Sequence, residues 1–385
     1  MSSIKKGETF VATVRDLASD GRGILSHPDG LTVFVPGVWP GEECRVRFVG
    51  LQNRLGLGEL VELIKPSPAR VTPPCPHHGF YSGDCGSCPW QFMDYQAQLH
   101  AKQERVNKAF ARFNLSEVQS IWASPNTYHY RNRTQLKTDG EVLGYLSANS
   151  NEIAAIQTCP VLTEVNQNTL QQLIAQLPNE AWRPNIQQRK RLQWTSLNFD
   201  DSMSVADVLI NKRLPFQQSH HQQNTAMRDW LRQRLSQLGE RGSVLELFCG
   251  SGNFTESIAA TISDDILAVE GDKQALEILA SKNLTKVSTL CADLFDPHGY
   301  DRIYQLRKDF KILVLDPPRD GVKHIDKLLP KTTSIKQIFY ISCNLATLIR
   351  DLQQMCERGF KITEVQPLDQ TPHTPHIELL VALEK

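Results

Sequence analysis

The stretch Val244-Leu-Glu-Leu-Phe-Cys-Gly-Ser-Gly-Asn-Phe254 decides the fold of the second half of this 385-residue chain. An apolar run leads into a Gly-x-Gly turn, which predicts a short strand, a tight turn and then a helix. Gly250 and Gly252 let the backbone approach a ligand, and a helix amino terminus favours electron-rich groups. A dinucleotide fingerprint would need a third glycine at position 255, where Thr255 stands, so NAD is disfavoured.

Short apolar strands alternate with helical segments from Phe216 onward. The predicted strands are 243–248, 266–270, 288–292, 311–315, 337–341, 361–366 and 377–383. This alternation is typical of a doubly wound α/β sheet.

Three consecutive predicted strands of this sheet end in acids, which are Glu246, Glu270 and Asp293. An acid about 20 residues beyond the glycine turn can reach ribose hydroxyls, whereas a phosphate ligand would call for Lys or Arg. The set therefore predicts an adenosyl ligand, S-adenosylmethionine. The alternative is that these acids only cap helices.

A second group of residues follows the later strands. Cys343 follows the predicted strand 337–341, and the commoner fate of such a thiol is burial as a packing residue. At the carboxyl end of a parallel strand, however, a thiolate is placed for conjugate addition to C6 of a pyrimidine. Asp316-Pro-Pro-Arg319 is similar to the base-recognising loop of amino-methyltransferases, but Arg319 replaces their aromatic residue, which disfavours N-methylation.

Glu378 opens the last predicted strand. If that strand runs antiparallel, its start lies at the same edge as Cys343, and its carboxylate becomes a candidate base. His373 and His376 are rival bases, with turn and scaffolding roles as the alternative.

The first 215 residues have a different character. Five short predicted strands between residues 4 and 65 indicate a small β-barrel. A proline-rich linker follows, then a loop with three cysteines, a helix over 91–113 and a mixed α+β region up to 215. The predicted domains are 1–65, 66–215 and 216–385, with the helix a candidate to pack on the third.

Four cysteines form a possible metal-binding set, namely Cys75, Cys85, Cys88 and Cys159. Nine cysteines in a chain without an apolar signal segment indicate thiols and ligands rather than disulfides, and a cytoplasmic protein. From chemistry alone the set could hold zinc, with His77 or His78 competing, or an iron–sulfur cluster.

The bulk charge does not identify a partner. Lys and Arg together number 42, as do Asp and Glu, so the formal net charge is zero. Two local clusters are basic, Arg131 with Arg133, and Arg189-Lys-Arg191 with Arg183, although solvated surface charge is the commoner explanation for such clusters. No apolar stretch approaches the length needed to span a bilayer.

Together these residues resemble the bacterial family of RNA uridine-5 methyltransferases, which form 5-methyluridine in transfer and ribosomal RNA. The resemblance covers nearly the whole chain and is strongest to the branch that acts on 23S ribosomal RNA and carries an amino-terminal RNA-binding TRAM domain. It rests on Asp20-Gly-Arg-Gly23, Phe34-Val-Pro-Gly37, Pro40-Gly-Glu42, the cysteine loop, Phe216-Gln217, Leu245–Phe254, Asp316–Arg319, Ser342-Cys-Asn344 and His376-Ile-Glu378.

The resemblance implies a role for each matching residue. Cys343 would be the nucleophile and Glu378 the base. Gln217, Glu270 and Asp316 would contact the cofactor or the extruded base, and the four cysteines would hold a 4Fe-4S cluster. The sequence departs from the family in Phe216-Gln-Gln-Ser219, where Phe-Gln-Val-Asn is usual, in Glu246, where Asp is usual, and in a longer first cysteine gap.

The expected activity is methyl transfer to C5 of a uridine extruded from RNA, by a monomer without a membrane partner. A transfer-RNA target remains the nearest alternative. Other rivals are a non-catalytic RNA-binding protein, a DNA cytosine-5 methyltransferase, whose Pro-Cys motif is missing, and an electron-transfer iron–sulfur protein. The Cys-x3-Cys-x2-Cys pattern of radical enzymes is absent.

Overall fold

The computed structural model describes residues 4–113, 115, 117–148, 150–184, 194–239 and 242–385. The chain divides into two compact units, each built from separate segments. The first unit comprises residues 1–100, 126–214 and 371–375, and the second comprises 101–125, 215–370 and 376–385. The predicted basic cluster Arg189-Lys-Arg191 lies outside the described residues.

The first sheet contains six strands rather than the five predicted. They are β1 (Thr9–Thr13), β2 (Asp16–Leu17), β3 (Gly23–Ser26), β4 (Thr32–Val35), β5 (Glu43–Gln52) and β6 (Leu55–Lys65). The extra strand is the two-residue β2, which pairs with β3. The order is β1-β5-β6-β4-β3-β2. Alternate residues such as Phe10, Val33 and Val46 form one buried core inside this sheet.

The second sheet of the first unit is antiparallel throughout. Its strands are β7 (Arg133–Thr138), β8 (Leu143–Leu146), β9 (Ile153–Ala155), β10 (Thr195–Asp200) and β11 (Leu209–Ile210), in the order β11-β10-β7-β8-β9. Helix α2 (Glu164–Ile174) packs Leu170 and Leu173 against one face of this sheet. The predicted helix over 91–113 is α1 (Tyr95–Phe110), and its Val106 and Phe110 belong to the core of the second unit.

The second unit contains the predicted doubly wound sheet. Its strands are β12 (Val244–Leu247), β13 (Ile266–Glu270), β14 (Val287–Cys291), β15 (Ile312–Leu315), β16 (Gln337–Ser342), β17 (Lys361–Leu368) and β18 (Glu378–Glu384). Its helices are α3 (His221–Ser236), α4 (Thr255–Thr261), α5 (Lys273–Ser281), α6 (Pro297–Leu306), α7 (Ile325–Leu328) and α8 (Leu345–Glu357). Each strand lies within one residue or two of its predicted position.

The strand order of this sheet is β14-β13-β12-β15-β16-β18-β17. Strands β12 to β16 are parallel, and β18 runs antiparallel between β16 and β17, which meets the condition for placing the start of the last strand at the edge of Cys343. Both faces are buried, because Leu313 and Leu315 enter one core while Ile312 and Val314 enter the other. A parallel sheet covered on both faces reads as a continuous apolar run, which is why the sequence located it well. None of the described helices has the length and apolar character needed to cross a membrane.

One buried carboxylate connects three elements of the second unit. Asp351 of α8 is fully buried and accepts hydrogen bonds from the Tyr340 hydroxyl at 2.6 Å and from the Val322 amide at 2.8 Å. The Arg350 guanidinium is also within 2.8 Å of it. Gly321 has φ +70°, and a Cβ atom there would lie 2.4 Å from the Asp351 carboxylate. The carboxylate therefore ties α8 to β16 and to the loop after β15.

We expect Asp351→Ala to destabilise the second unit by about 3 kcal/mol, because a buried amide, a buried hydroxyl and a guanidinium lose their acceptor together. Tyr340→Phe removes one donor and should cost only about 1 kcal/mol. Native-state amide hydrogen exchange, resolved by segment, measures both losses in β16 and α8. Equal losses in the two variants would contradict the central role of the carboxylate.

Candidate active site and cysteine cavity

The glycine turn after β12 is shaped to leave space beside its backbone. Gly250 has φ +53°, and no atom lies within 4 Å of the position that a Cβ would take there. Gly252 has φ +94°, and a Cβ there would stand 2.5 Å from Leu279 of α5, so close helix packing requires this glycine. Glu270 at the end of β13 accepts hydrogen bonds from the amides of Gly250 at 3.1 Å and Gly271 at 2.7 Å.

Glu246 lies beside this turn and is buried, with 2% of its surface exposed. Burial raises the pKa of its carboxyl group to about 8. The Thr255 hydroxyl acts on this carboxyl group and lowers its pKa, but its contact with the Glu246 Oε2 atom falls short of good hydrogen-bond geometry, and no other donor among the described residues reaches that atom. Open space at Gly250 and a buried acceptor that is incompletely satisfied fit a ligand that carries N–H and O–H donors, as S-adenosylmethionine does.

Two other predicted cofactor contacts, Asp293 and Gln217, are exposed and lie outside the glycine turn. Asp293 is exposed two residues after β14, where it accepts a hydrogen bond from the Phe295 amide at 2.8 Å. Gln217 is exposed in the segment before α3. The structure thus gathers Glu246 of β12 and Glu270 of β13 around the turn that contains Gly250 and Gly252, while Asp293 and Gln217 lie on separate loops of the same unit.

The reactive edge is built by two antiparallel neighbours, β16 and β18. Ser342 pairs directly with Leu379, so the adjoining Cys343 and Glu378 stand next to each other at the carboxyl end of β16. Asp316 follows the neighbouring strand β15 and reaches the same edge. Residues 316, 343 and 378 are therefore brought together by strand order, although they are far apart in sequence.

The electrostatics of this edge hold protons on its acids. Burial raises the pKa of Glu378 to about 8, with a further contribution from the Asp316 charge. Burial, together with Glu270, raises the pKa of Asp316 to about 7. Burial and the two carboxylates 378 and 316 raise the pKa of the Cys343 thiol to about 11.

Arg319 is the cation that opposes this accumulation of negative charge. It acts to lower the pKa of both Cys343 and Glu378. Its Nη2 atom lies 3.5 Å from Nε2 of His376. Burial of the His376 ring, followed by the charge of Arg319, lowers the pKa of that imidazole to about 4, although part of the residue remains exposed. A neutral imidazole with so low a pKa is a weak base.

The other rival base, His373, belongs to the first unit. Its Nδ1 atom is 3.2 Å from the Gln98 amide nitrogen, and its ring stacks on Tyr128 with centroids 4.6 Å apart. These contacts are those of a packed scaffold residue.

Two residues that hold the Arg319 loop were not assigned from the sequence. The Arg319 carbonyl accepts hydrogen bonds from the Asn344 side chain at 2.9 Å and from the Thr347 hydroxyl at 3.0 Å. Asn344 also caps α8 by accepting from the Ala346 amide. The available signal was a helix-capping Asn directly after Cys343, with Thr three residues later.

The cysteine loop contributes to a separate cavity in the first unit. Cys75, Cys85, Cys88 and Cys159 all line it, with Arg131, Tyr145 and His78 among the other walls. Burial raises the pKa of Cys75, Cys88 and Cys159. Tyr145 and Cys159 are in hydrogen-bond contact at 3.8 Å between oxygen and sulfur.

All four thiols line the same cavity. In the part of the chain that the structure describes, no group of three or more His, Cys, Asp or Glu side chains is placed to hold a metal ion. His77, one of the competing zinc ligands, is engaged elsewhere, because its Nε2 atom accepts a hydrogen bond from the Gln157 amide at 2.9 Å. Four thiols around a cavity that also contains a guanidinium fit an anionic cluster larger than one ion.

The chain is similar to known proteins in family, in sequence and in structure. A sequence model of the tRNA (Uracil-5-)-methyltransferase family matches residues 142–385. An uncharacterized RNA methyltransferase of Nitrosomonas europaea is 39% identical, over 98% of this chain and 97% of its own length. The 23S rRNA (uracil(1939)-C(5))-methyltransferase RlmD of Nitrosococcus oceani is 27% identical, over 97% of this chain and 96% of its own.

The crystal structure of the Pyrococcus abyssi tRNA (uracil-54, C5)-methyltransferase with S-adenosyl-L-homocysteine superimposes with a TM-score of 0.70. It covers 97% of this chain and all of its own, at 20% identity, so this likeness concerns the fold. The family match covers more than half of the chain, and the Nitrosomonas relative covers nearly all of it. The chain therefore belongs to the tRNA (Uracil-5-)-methyltransferase family of S-adenosylmethionine-dependent RNA uracil-C5 methyltransferases.

Proposed function

We propose that this enzyme methylates C5 of a uridine in 23S ribosomal RNA through a covalent adduct with Cys343. The observation that carries the mechanism is the antiparallel pairing of β16 with β18, which sets Glu378 beside Cys343. The ribosomal target is supported by similarity to the RlmD enzyme of Nitrosococcus oceani along almost the entire chain. A uridine in transfer RNA is the second candidate, favoured by the description of the matching family.

When bound, S-adenosylmethionine supplies the methyl group, held by Glu246, Gly250, Gly252, Glu270 and Asp293, with Gln217 and Asp316 at the boundary between cofactor and base. The Cys343 thiol would pass its proton to the Asp316 carboxylate as its sulfur adds to C6 of the uracil ring. The C5–C6 electrons then reside on C5 and O4, and C5 takes the methyl group, which leaves S-adenosylhomocysteine. Glu378 removes the C5 proton, the C5–C6 double bond re-forms, and the bond from C6 to sulfur breaks.

The raised pKa values set the order of proton movements. A thiol with a pKa of about 11 is protonated at neutral pH, so its proton must leave as the bond to C6 forms. Glu378, with a pKa of about 8, needs to be ionised before it can accept the C5 proton. Arg319 favours both ionised forms and is proposed to position and stabilise them.

The first unit is proposed to serve RNA binding and cluster binding rather than chemistry. Its six-stranded sheet, residues 9–65, is proposed as a TRAM-like RNA-binding domain, separate from a central domain that ends near 215. Cys75, Cys85, Cys88 and Cys159 are proposed to hold a 4Fe-4S cluster, supported by the cavity that all four line.

We expect Glu378→Gln to stop after methyl transfer, because addition and alkylation remain possible while proton removal does not. With unmodified 23S RNA, this variant should accumulate a denaturation-resistant protein–RNA adduct that already contains the transferred methyl group. Cys343→Ala should form no adduct at all and should still bind S-adenosylhomocysteine. His376→Gln is the matched control and should release product normally. Product release by Glu378→Gln at the wild-type rate would show that another group is the base.

The pH dependence of kcat/KM tests the role of Arg319. Glu378 and Cys343 must both lose protons, so kcat/KM should rise with pH through the neutral and mildly alkaline range. Removing the cation in Arg319→Gln raises both pKa values and should shift this limb upward by about one pH unit. Arg319→Lys keeps a cation at this position and should return the limb most of the way to its wild-type pH. An unchanged limb, or a shift to lower pH, would contradict the proposed role.

The cluster proposal predicts brown protein after anaerobic purification, with iron and sulfide in cluster proportion. Cys88→Ser and Cys159→Ser should lose the colour, because each removes a thiolate ligand. Cys291→Ser is the matched control, since Cys291 is exposed in the second unit, and should keep it. Stoichiometric zinc without sulfide would overturn the proposal.

A further inference from the structure

The second sheet of the first unit has one face that α2 does not cover. Leu136, Leu197 and Phe199 point into the core beneath α2. Side chains on strand β7 and strand β10 alternate, so Gln135, Lys137, Ser196 and Asn198 lie on the opposite face. An antiparallel sheet with one face packed and one face polar is common, and the polar face alone implies no function.

Cross-strand hydrogen bonds give this polar face a fixed arrangement. Lys137 pairs with Ser196 across the strands, and its Nζ donates to the Ser196 hydroxyl at 2.7 Å. Gln135 pairs with Asn198, and its Nε2 donates to the Asn198 Oδ1 at 2.8 Å. Asn211, at the far side, accepts from the Ser196 amide at 3.0 Å. The face is therefore an ordered array of amide, hydroxyl and ammonium groups.

This array forms the floor of an open groove whose charge is of one sign. Lys137, Lys212 and Arg213 line it, and no carboxylate does so among the described residues. Burial, followed by the charge of Arg213, lowers the pKa of Lys137. In a chain with 42 basic and 42 acidic residues, three cations without an acid in one groove are a local concentration that an anionic ligand would neutralise.

Two further features point to a ligand with both phosphates and bases. Asn198 is 5% exposed, and in the described part of the chain its Nδ2 has no hydrogen-bond partner, so a buried donor awaits an acceptor at the groove. Trp194 lines the same groove, and the Lys137 ammonium lies 5.9 Å from its ring centroid. An aromatic ring beside cations is the arrangement on which nucleic-acid bases stack.

We propose that this groove, lined by Gln135, Lys137, Trp194, Asn198, Lys212 and Arg213, binds a segment of the RNA substrate other than the target uridine. The cations would contact phosphates, Trp194 would stack on a base, and the Asn198 amide would donate to a base-edge or ribose oxygen. A protein ligand fits less well, because the apolar side chains that line the groove, as far as the structure describes it, are those of Trp194 and Pro184. The inference rests on the RNA substrate of the proposed function and assigns it a second contact surface.

The test compares two double variants of the full chain. Lys212→Ala/Arg213→Ala removes two exposed groove cations, and Lys308→Ala/Lys331→Ala removes two exposed lysines that precede β15 and β16, at the opposite end of those strands from Cys343. The probe is unmodified, transcribed 23S RNA in filter binding over a series of salt concentrations. The groove variant should bind about tenfold more weakly and lose close to two from the salt slope, one for each phosphate contact, and the control should match wild type.

Trp194→Ala and Trp194→Phe separate stacking from charge. The alanine variant should weaken RNA binding severalfold with an unchanged salt slope, and the phenylalanine variant should recover most of the affinity. For all groove variants kcat at saturating RNA and the affinity for S-adenosylhomocysteine should stay at wild-type values while KM for RNA rises.

The outcomes distinguish this inference from the proposed function. If the enzyme methylates 23S RNA and the groove variants bind RNA as tightly as the control, the groove assignment is overturned and the proposed function is unaffected. If the groove variants lose RNA binding but the wild-type enzyme methylates no 23S RNA, the groove assignment is supported and the ribosomal target is contradicted. Normal binding to naked RNA with weakened binding only to protein-containing ribosomal particles would overturn the inference in favour of a protein ligand.

Discussion

The buried carboxylate of Asp351 is the constraint on which the reactive edge depends. It lies on the helix that follows Cys343, and it binds both the hydroxyl of Tyr340 on β16 and the amide of Val322 after the Arg319 loop. Thr347, one helical turn earlier, and Asn344, the residue that caps the helix, hold the carbonyl of Arg319 itself. Cys343 and Arg319 therefore share one hydrogen-bonded support, so that their separation is set by α8 rather than by a loose loop.

The chemistry of this edge follows from placing several acids where water is largely excluded. Burial is the main reason that the pKa values of Asp316, Cys343 and Glu378 are raised. The charge of Asp316 adds to the rise at Glu378 and at Cys343, and the charge of Glu378 adds to it at Cys343. Among the described residues that act on both Cys343 and Glu378, Arg319 is the one that favours the ionised form of each. At neutral pH such a site holds the Cys343 thiol in its protonated form. It also raises the pKa of Glu378 to about 8, so that near neutral pH a small change in its surroundings makes this carboxyl group release or take up a proton.

The first unit is built from two sheets that each have one apolar and one polar face. Its two sheets each bury one face in an apolar core, Phe10 and Val33 in one case and Leu136 and Phe199 in the other. The outer face of the second sheet is left to polar and cationic side chains. The four cysteines converge on a cavity walled by Arg131 and Tyr145, where a guanidinium can compensate thiolate charge. Both features suit the binding of a ligand, whereas Asp316, Cys343 and Glu378 lie in the second unit.

The sequence by itself determined the doubly wound sheet, the glycine turn and the candidates Cys343, Glu378 and Asp316, because buried parallel strands and positive-φ glycines leave strong local signals. It located the last strand, but the antiparallel direction of that strand was only a condition until the structure showed it. It did not reveal the sixth strand of the first sheet, since a two-residue strand has no periodicity to detect. It could not assign Asp351 or the groove around Asn198, whose partners lie on other strands or helices. Register and side-chain burial create those contacts, and both depend on how distant segments pack, so only the tertiary structure decided them.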